Sequence, residues 1–217
     1  MKQLVSCAIV LLTSSSVQAG TFFTISSVTN TNSTNFFPVT NLIQGSEFGF
    51  DSAEPHNQRG TGGINHTWVT NDNGGDWFSG NLPNPVVVFD LGDNVSLIEI
   101  STWGYANDNT NGLKDFSLRF ATDSDGTTGF GTSISYNPSF EASFSYTVRD
   151  SNLFPEPVTA RYVEMTMMDN WGGLVGNIPG GDRVGLGEVA FENVSIPEPS
   201  TAFLSLIAGF GLLGRRR

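Results

Sequence analysis

Three stretches rich in glycine, asparagine and aspartate carry the side chains best suited to hold a sugar. Residues 71–80 contain Asp76 and Trp77, residues 104–112 contain Tyr105, Asn107 and Asp108, and residues 169–182 contain Trp171 and Asn177. A pyranose offers a flat C–H face that packs on an aromatic ring, and hydroxyls that pair with amides and carboxylates. These seven residues are therefore the candidate ligand contacts. The alternative for each aromatic is to fold back as a lid over one end of the core. Trp68 and Trp103 fall in strand-like stretches and are expected inside.

Catalytic chemistry finds less support. His56 and His66 are the only histidines and have no cysteine or dense carboxylate cluster near them, so a zinc site is not expected. No Gly-x-Ser-x-Gly elbow is present, and a Ser-His-Asp triad would have to draw on one of those two histidines. Paired carboxylates for glycoside hydrolysis depend on separation in space, which a sequence does not show. Asp123-Ser124-Asp125-Gly126 looks like part of a calcium loop but lacks the third ligand and the distal glutamate, so a hairpin turn is expected there. No catalytic residue is assigned, and the chain is read as a non-enzyme.

These residues need a scaffold, and the composition supplies one. Of 217 residues, 38% are hydrophobic and 14% charged, enough for a core and too few charges for a disordered acidic polymer. Between residues 20 and 196 there are six bases against twenty acids, a balance of −14 that repels phosphate backbones and excludes nucleic acid as a partner. The single cysteine, Cys7, leaves the body without a disulfide or a thiolate metal site.

Alternation points to strands. Phe116, Leu118 and Phe120 alternate with Asp115, Ser117 and Arg119; Val163, Met165 and Met167 alternate with Tyr162, Glu164 and Thr166; residues 140–149 show the same period. Residues 86–91 and 97–103 are apolar enough for the centre of a sheet, with turn chemistry in Asp90-Leu91-Gly92-Asp93-Asn94 between them. No helical period persists over three turns, so the expected architecture is an all-β antiparallel sandwich with long loops.

The two ends read as addresses. Lys2, the apolar run 4–13 and Val17-Gln18-Ala19 have the order of a signal peptide covering residues 1–19. At the other end Pro197-Glu198-Pro199 precedes an uncharged run of fifteen residues, 200–214, and then Arg215-Arg216-Arg217. That run is short of the ~20 residues of a stable span, which suits a transient inner-membrane anchor removed by processing. Residues 196–217 resemble the PEP-CTERM sorting signal of Gram-negative bacteria. The resemblance implies export, signal peptidase and exosortase as processing partners, and a destination at the cell surface or in the extracellular matrix.

Between these ends, residues 20–195 form one domain. Val86-Val87-Val88-Phe89-Asp90-Leu91-Gly92, Leu97-Ile98-Glu99-Ile100, Leu113-Lys114-Asp115-Phe116-Ser117-Leu118, Ala160-Arg161-Tyr162-Val163 and Gly185-Leu186-Gly187-Glu188-Val189-Ala190-Phe191 follow in order. Together they resemble the galactose-binding-like jelly roll of discoidin and coagulation-factor C-type domains. The resemblance implies a structural Ca2+ held by Glu188 and by residues of the segments that include Asn41, Gln44 and Thr67. Gln44 stands where an aspartate is usual, which removes a formal charge, and Ca2+ also accepts neutral oxygens. The alternative for Glu188 is hydrogen bonding to backbone amides. The expected function is a non-catalytic module that binds polysaccharide in an extracellular matrix. The alternatives are a structural matrix or adhesion protein, or an extracellular polysaccharide hydrolase.

Overall fold

The computed structural model describes residues 21–43, 67–105, 110–136, 149–172 and 181–193. Both terminal segments, residues 140–148, and Gln44, His56, His66, Asn107, Asp108 and Asn177 lie outside the described residues.

The described residues are all-β apart from short 3-10 helices, as the alternation predicts. In chain order the strands are β1 (Thr21–Phe23), β2 (Ser27–Thr31), β3 (Asn35–Phe37), β4 (Trp68–Thr70), β5 (Val86–Trp103) and β6 (Leu113–Ala121). They continue with β7 (Thr132–Tyr136), β8 (Arg149–Asn170), β9 (Gly185–Leu186) and β10 (Glu188–Asn193). Among the described residues, one sheet has seven strands in the order β1-β10-β5-β8-β6-β7, with β2 also pairing with β5. A smaller sheet runs β3-β4-β9. The strand pairs are antiparallel.

Strand register explains the core. Val87, Met165 and Leu118 lie side by side across β5, β8 and β6, and Phe89, Val163 and Phe120 form the next row. All six are buried, each contributing roughly 1.5–3 kcal/mol if fully shielded. Phe89 meets Phe191 edge to face at 5.5 Å, and the same apolar cluster includes Trp68 and Leu186 of the smaller sheet. The two sheets therefore close over one interior. Trp68 and Trp103 are fully buried, as expected.

One expectation needs correction. The turn chemistry at Asp90-Leu91-Gly92-Asp93-Asn94 does not reverse the chain: β5 runs through it as one strand. Asp90 pairs with Tyr162 and Val95 with Ala160, so residues 91–94 face the single residue Arg161 in a wide irregularity. Gly92, at φ 86°, takes the left-handed conformation, and its N–H donates to Asp90 Oδ1 at 2.8 Å. Arg161 donates to both Asp90 oxygens, at 3.0 and 3.3 Å, and to Asp123. The Arg161 hydrogen bonds hold the Asp90 carboxyl below its ordinary range. Turn residues here build a bulge because β8 continues alongside and keeps the strand paired.

A second irregularity places residues 154–157 of β8 opposite Ile98. Pro155 and Pro157 lack the N–H a regular ladder needs, and Phe154 turns inward onto Phe120 at 5.4 Å. At Asp123 and Asp125 the expected hairpin is present: residues 122–131 join β6 to β7, with the Thr122 N–H donating to Asp125 Oδ2 at 3.0 Å.

Candidate carbohydrate-binding end

The three loops singled out from the sequence converge. The Trp77 N–H donates to the Gly181 carbonyl at 2.7 Å and the Asn73 N–H to the Asp182 carbonyl at 3.2 Å, joining residues 71–80 to the last loop. The Trp171 N–H donates to the Gly112 carbonyl at 3.2 Å and the Gly185 N–H to the Asn111 carbonyl at 2.8 Å, joining that loop to residues 104–112.

Two buried asparagines pin the junction. Asn170 Nδ2 donates to the carbonyls of Gly181 at 3.0 Å and Arg183 at 2.8 Å, while its Oδ1 accepts from the Gly172 N–H at 2.9 Å. Asn111 Oδ1 accepts from the Gly181 N–H at 2.6 Å. A primary amide supplies two donors and an acceptor from one side chain, which is what a crossing of loop backbones requires. Gly181, at φ 93°, and Gly172 approach so closely that a Cβ on Gly172 would sit 2.8 Å from the Gly181 Cα.

The aromatics divide. Trp77 and Tyr105 are only 6% and 5% exposed, which corrects their expected role as open platforms. Tyr105 lies on Gly185, where a Cβ would come within 2.6 Å of the ring, so absence of a side chain is what lets the ring close over that end of the core. Both act as lids, the alternative weighed from the sequence. Trp171 is half-buried against the core. Asp76 is exposed, but its Oδ1 accepts from the Phe78 N–H at 3.1 Å and so caps its own turn.

The exposed aromatic on this rim is one that the sequence reading missed. Phe36 of β3 is 56% exposed, and the Arg183 guanidinium stacks over its ring at 4.7 Å. Arg183 Nη2 also stands 3.9 Å from Asp72 Oδ2, a loose pair that leaves hydrogen-bonding capacity on both groups. A signal existed in Asn35-Phe36-Phe37: consecutive residues of a strand face opposite ways, so one of two adjacent phenylalanines must point outward.

Of the expected calcium ligands, Asn41, Thr67 and Glu188 are among the described residues. Asn41, in the 3-10 helix Val39–Ile43, donates through Nδ2 to the Thr67 carbonyl at 2.9 Å. Trp68, which follows Thr67, pairs with Leu186, two residues before Glu188. Asn41 is 4% exposed, and Thr67 and Glu188 are fully buried. The donor set is all oxygen with one carboxylate, which fits a hard cation better than zinc. Among the described residues no three His, Cys, Asp or Glu side chains cluster as a metal site.

A separate buried carboxylate is structural. Glu99 Oε1 accepts from Ser101 at 2.6 Å and from Arg149 at 2.8 Å, and Arg149 stacks on Phe22 at 4.5 Å. Burial by itself would raise the Glu99 carboxyl, but hydrogen bonds from Ser101, Arg149 and Ser151 outweigh it and hold the group below its ordinary value.

This architecture is an antiparallel β-sandwich, a fold it shares with solved carbohydrate-binding modules. The chain is similar to the family 32 module of C. perfringens NanJ, solved with galactose, at 13% identity over 81% of this chain and 100% of that one, with a TM-score of 0.52. It is similar to the Streptococcus pneumoniae fucose-binding module SpX-3 at 10% identity over 81% and 99%, with a TM-score of 0.51. A further Streptococcus pneumoniae fucose-binding module matches at 12% identity over 80% and 96%, with a TM-score of 0.50. At these identities the likeness shows the fold. No family model matches the sequence, and no curated protein matches it.

Proposed function

We propose that the chain is a non-catalytic carbohydrate-binding module, exported by its leader and sorted to the cell surface or extracellular matrix by its C-terminal signal. The observation that carries the binding half is the rim around Phe36. An exposed ring, a guanidinium and a carboxylate stand together where three pinned loops meet. Phe36 supplies the apolar face for a pyranose, Arg183 supplies donors, and Asp72 supplies acceptors for neighbouring hydroxyls. Trp171 offers a second, half-buried surface on the loop that meets Gly112. Galactose and fucose, the sugars of the similar modules, are the first ligands to try, together with the producer's own polysaccharide.

The sorting half rests on sequence. Signal peptidase at residues 1–19 and an exosortase at Pro197-Glu198-Pro199 are the proposed processing partners. Calcium at Asn41, Thr67 and Glu188, with Gln44, is proposed as a structural ion that ties the 3-10 helix to β10; it takes no part in ligand chemistry.

Glycan arrays followed by calorimetry test the binding. Phe36→Ala leaves stability within about 0.5 kcal/mol, because the ring is exposed, and weakens binding by roughly 1 kcal/mol or about fivefold. Trp77→Ala and Tyr105→Ala are unsuitable probes, since both remove core. A protein that binds no glycan on the array and none of the producer's polysaccharide, or that binds equally well as Phe36→Ala and Arg183→Ala, would overturn the reading.

A further inference from the structure

The sequence contains two Asn-Gly pairs, Asn73-Gly74 and Asn111-Gly112, and the fold treats them in opposite ways. Asn-Gly is the dipeptide in which a backbone nitrogen most easily reaches the preceding side-chain amide, because glycine adds no Cβ to the approach. Asn73 and Gly74 are exposed in the loop, and nothing lies within 4 Å of where a Gly74 Cβ would stand. Two local hydrogen bonds prepare the reacting groups. The Gly74 N–H donates to Asp72 Oδ1, so the nucleophile already faces a carboxylate. The Gly75 N–H donates to Asn73 Oδ1 at 3.0 Å, so the carbonyl to be attacked is already polarised. Arg183, 3.9 Å from the other Asp72 oxygen, stands on the far side of that carboxylate.

We propose that Asn73 is a self-processing site, converted to aspartate and isoaspartate with Asp72 as general base and the Gly75 N–H as oxyanion donor. The Gly74 nitrogen attacks Asn73 Cγ as its proton passes to Asp72, forming the new C–N bond. The intermediate's oxygen is held by the Gly75 N–H. Asp72 returns the proton to Nδ2, the Cγ–Nδ2 bond breaks, and ammonia leaves a five-membered succinimide. Water then opens the ring at either carbonyl. The net change is asparagine plus water to aspartate or isoaspartate plus ammonia, with no oxidant or cofactor.

Asn111-Gly112 is the built-in contrast. Asn111 is 3% exposed, its Oδ1 accepts from the Gly181 N–H at 2.6 Å and its carbonyl from the Gly185 N–H. Gly112 is bridged to Gly185, so its nitrogen cannot swing toward the Asn111 amide without breaking the loop junction. The consequence at Asn73 is local. An added carboxylate appears beside Asp72 and Arg183. In the iso form an extra backbone methylene enters between the anchors at Asn73–Asp182 and Trp77–Gly181. Whether that alters ligand affinity rests on the binding reading; the conversion itself does not.

The test is incubation of the folded full-length chain at neutral pH, read by peptide mass mapping, ammonia release and isoaspartyl methyltransferase labelling. The expected result is an amide-to-acid mass gain at residue 73 and none at residue 111. Asp72→Asn slows the gain about a hundredfold, the low side of general-base effects, and Gly74→Ala slows it too. Circular dichroism of Asp72→Asn confirms that the fold is intact. An unmodified Asn73, equal conversion at residues 73 and 111, or an Asp72→Asn rate equal to wild type would overturn the proposal.

Discussion

Replacing Asn170 by alanine removes three hydrogen bonds at the point where the loops cross, and the outcome follows from which partners are left alone. The Gly181 carbonyl keeps the Trp77 N–H at 2.7 Å. The Arg183 carbonyl and the Gly172 N–H lose the bonds at 2.8 and 2.9 Å that Asn170 gave them. A buried polar group without a partner costs about 1–3 kcal/mol. Arg183 and Gly172 are only half-buried, so water relieves part of this and the expected loss is ~2–3 kcal/mol. For a domain of this size that corresponds to a fall in Tm of about 5–10 °C. Urea unfolding followed by tryptophan fluorescence reads it as a lower midpoint with an unchanged slope. Asn170→Asp is the companion variant: it keeps the acceptor for Gly172 but sets a carboxylate against two carbonyls. It is destabilised at neutral pH and recovers on acidification, when a protonated oxygen can donate. A loss below about 1 kcal/mol for Asn170→Ala would show that the junction is held by other contacts.

Gly185→Ala forces a Cβ to within 2.6 Å of the Tyr105 ring and is expected to cost about 1–3 kcal/mol as overpacking, measured by the same unfolding curve. Glu99 has a folded-state pKa below its unfolded one, so it contributes stability above the unfolded value that is lost as pH falls through the folded value. Urea midpoints taken from neutral pH into the acid range should therefore fall less steeply for Glu99→Gln than for wild type; equal slopes would refute the assignment. If Ca2+ sits at Glu188, EDTA lowers Tm by removing about 2.7 kcal/mol at a hundredfold excess of ion over Kd, and Glu188→Gln abolishes the effect. A melting curve indifferent to EDTA points to hydrogen bonding at Glu188 instead.

The period of two in β6 and β8 was visible in the chain, because a strand with one buried face must alternate. The three loops could also be chosen from composition. The bulge at residues 91–94 could not, since the residues that make a chain turn also make it bulge, and only the continuing partner strand decides between them. Most of β8 ahead of Ala160 was hidden as well, because Pro155 and Pro157 break the pattern that marks a strand.

Composition by itself determined that the molecule is an acidic, cysteine-poor β protein whose loops carry aromatic and amide side chains. Which aromatics face solvent was a tertiary decision. Trp77 and Tyr105 carry no local mark that separates them from Phe36; they are buried because Asn111, Asn170 and the glycines at 172, 181 and 185 draw three distant loops over one end of the sandwich. Exposure depends on what the rest of the chain brings alongside, and contacts between residues as far apart as Thr70 and Val184 are absent from any local window.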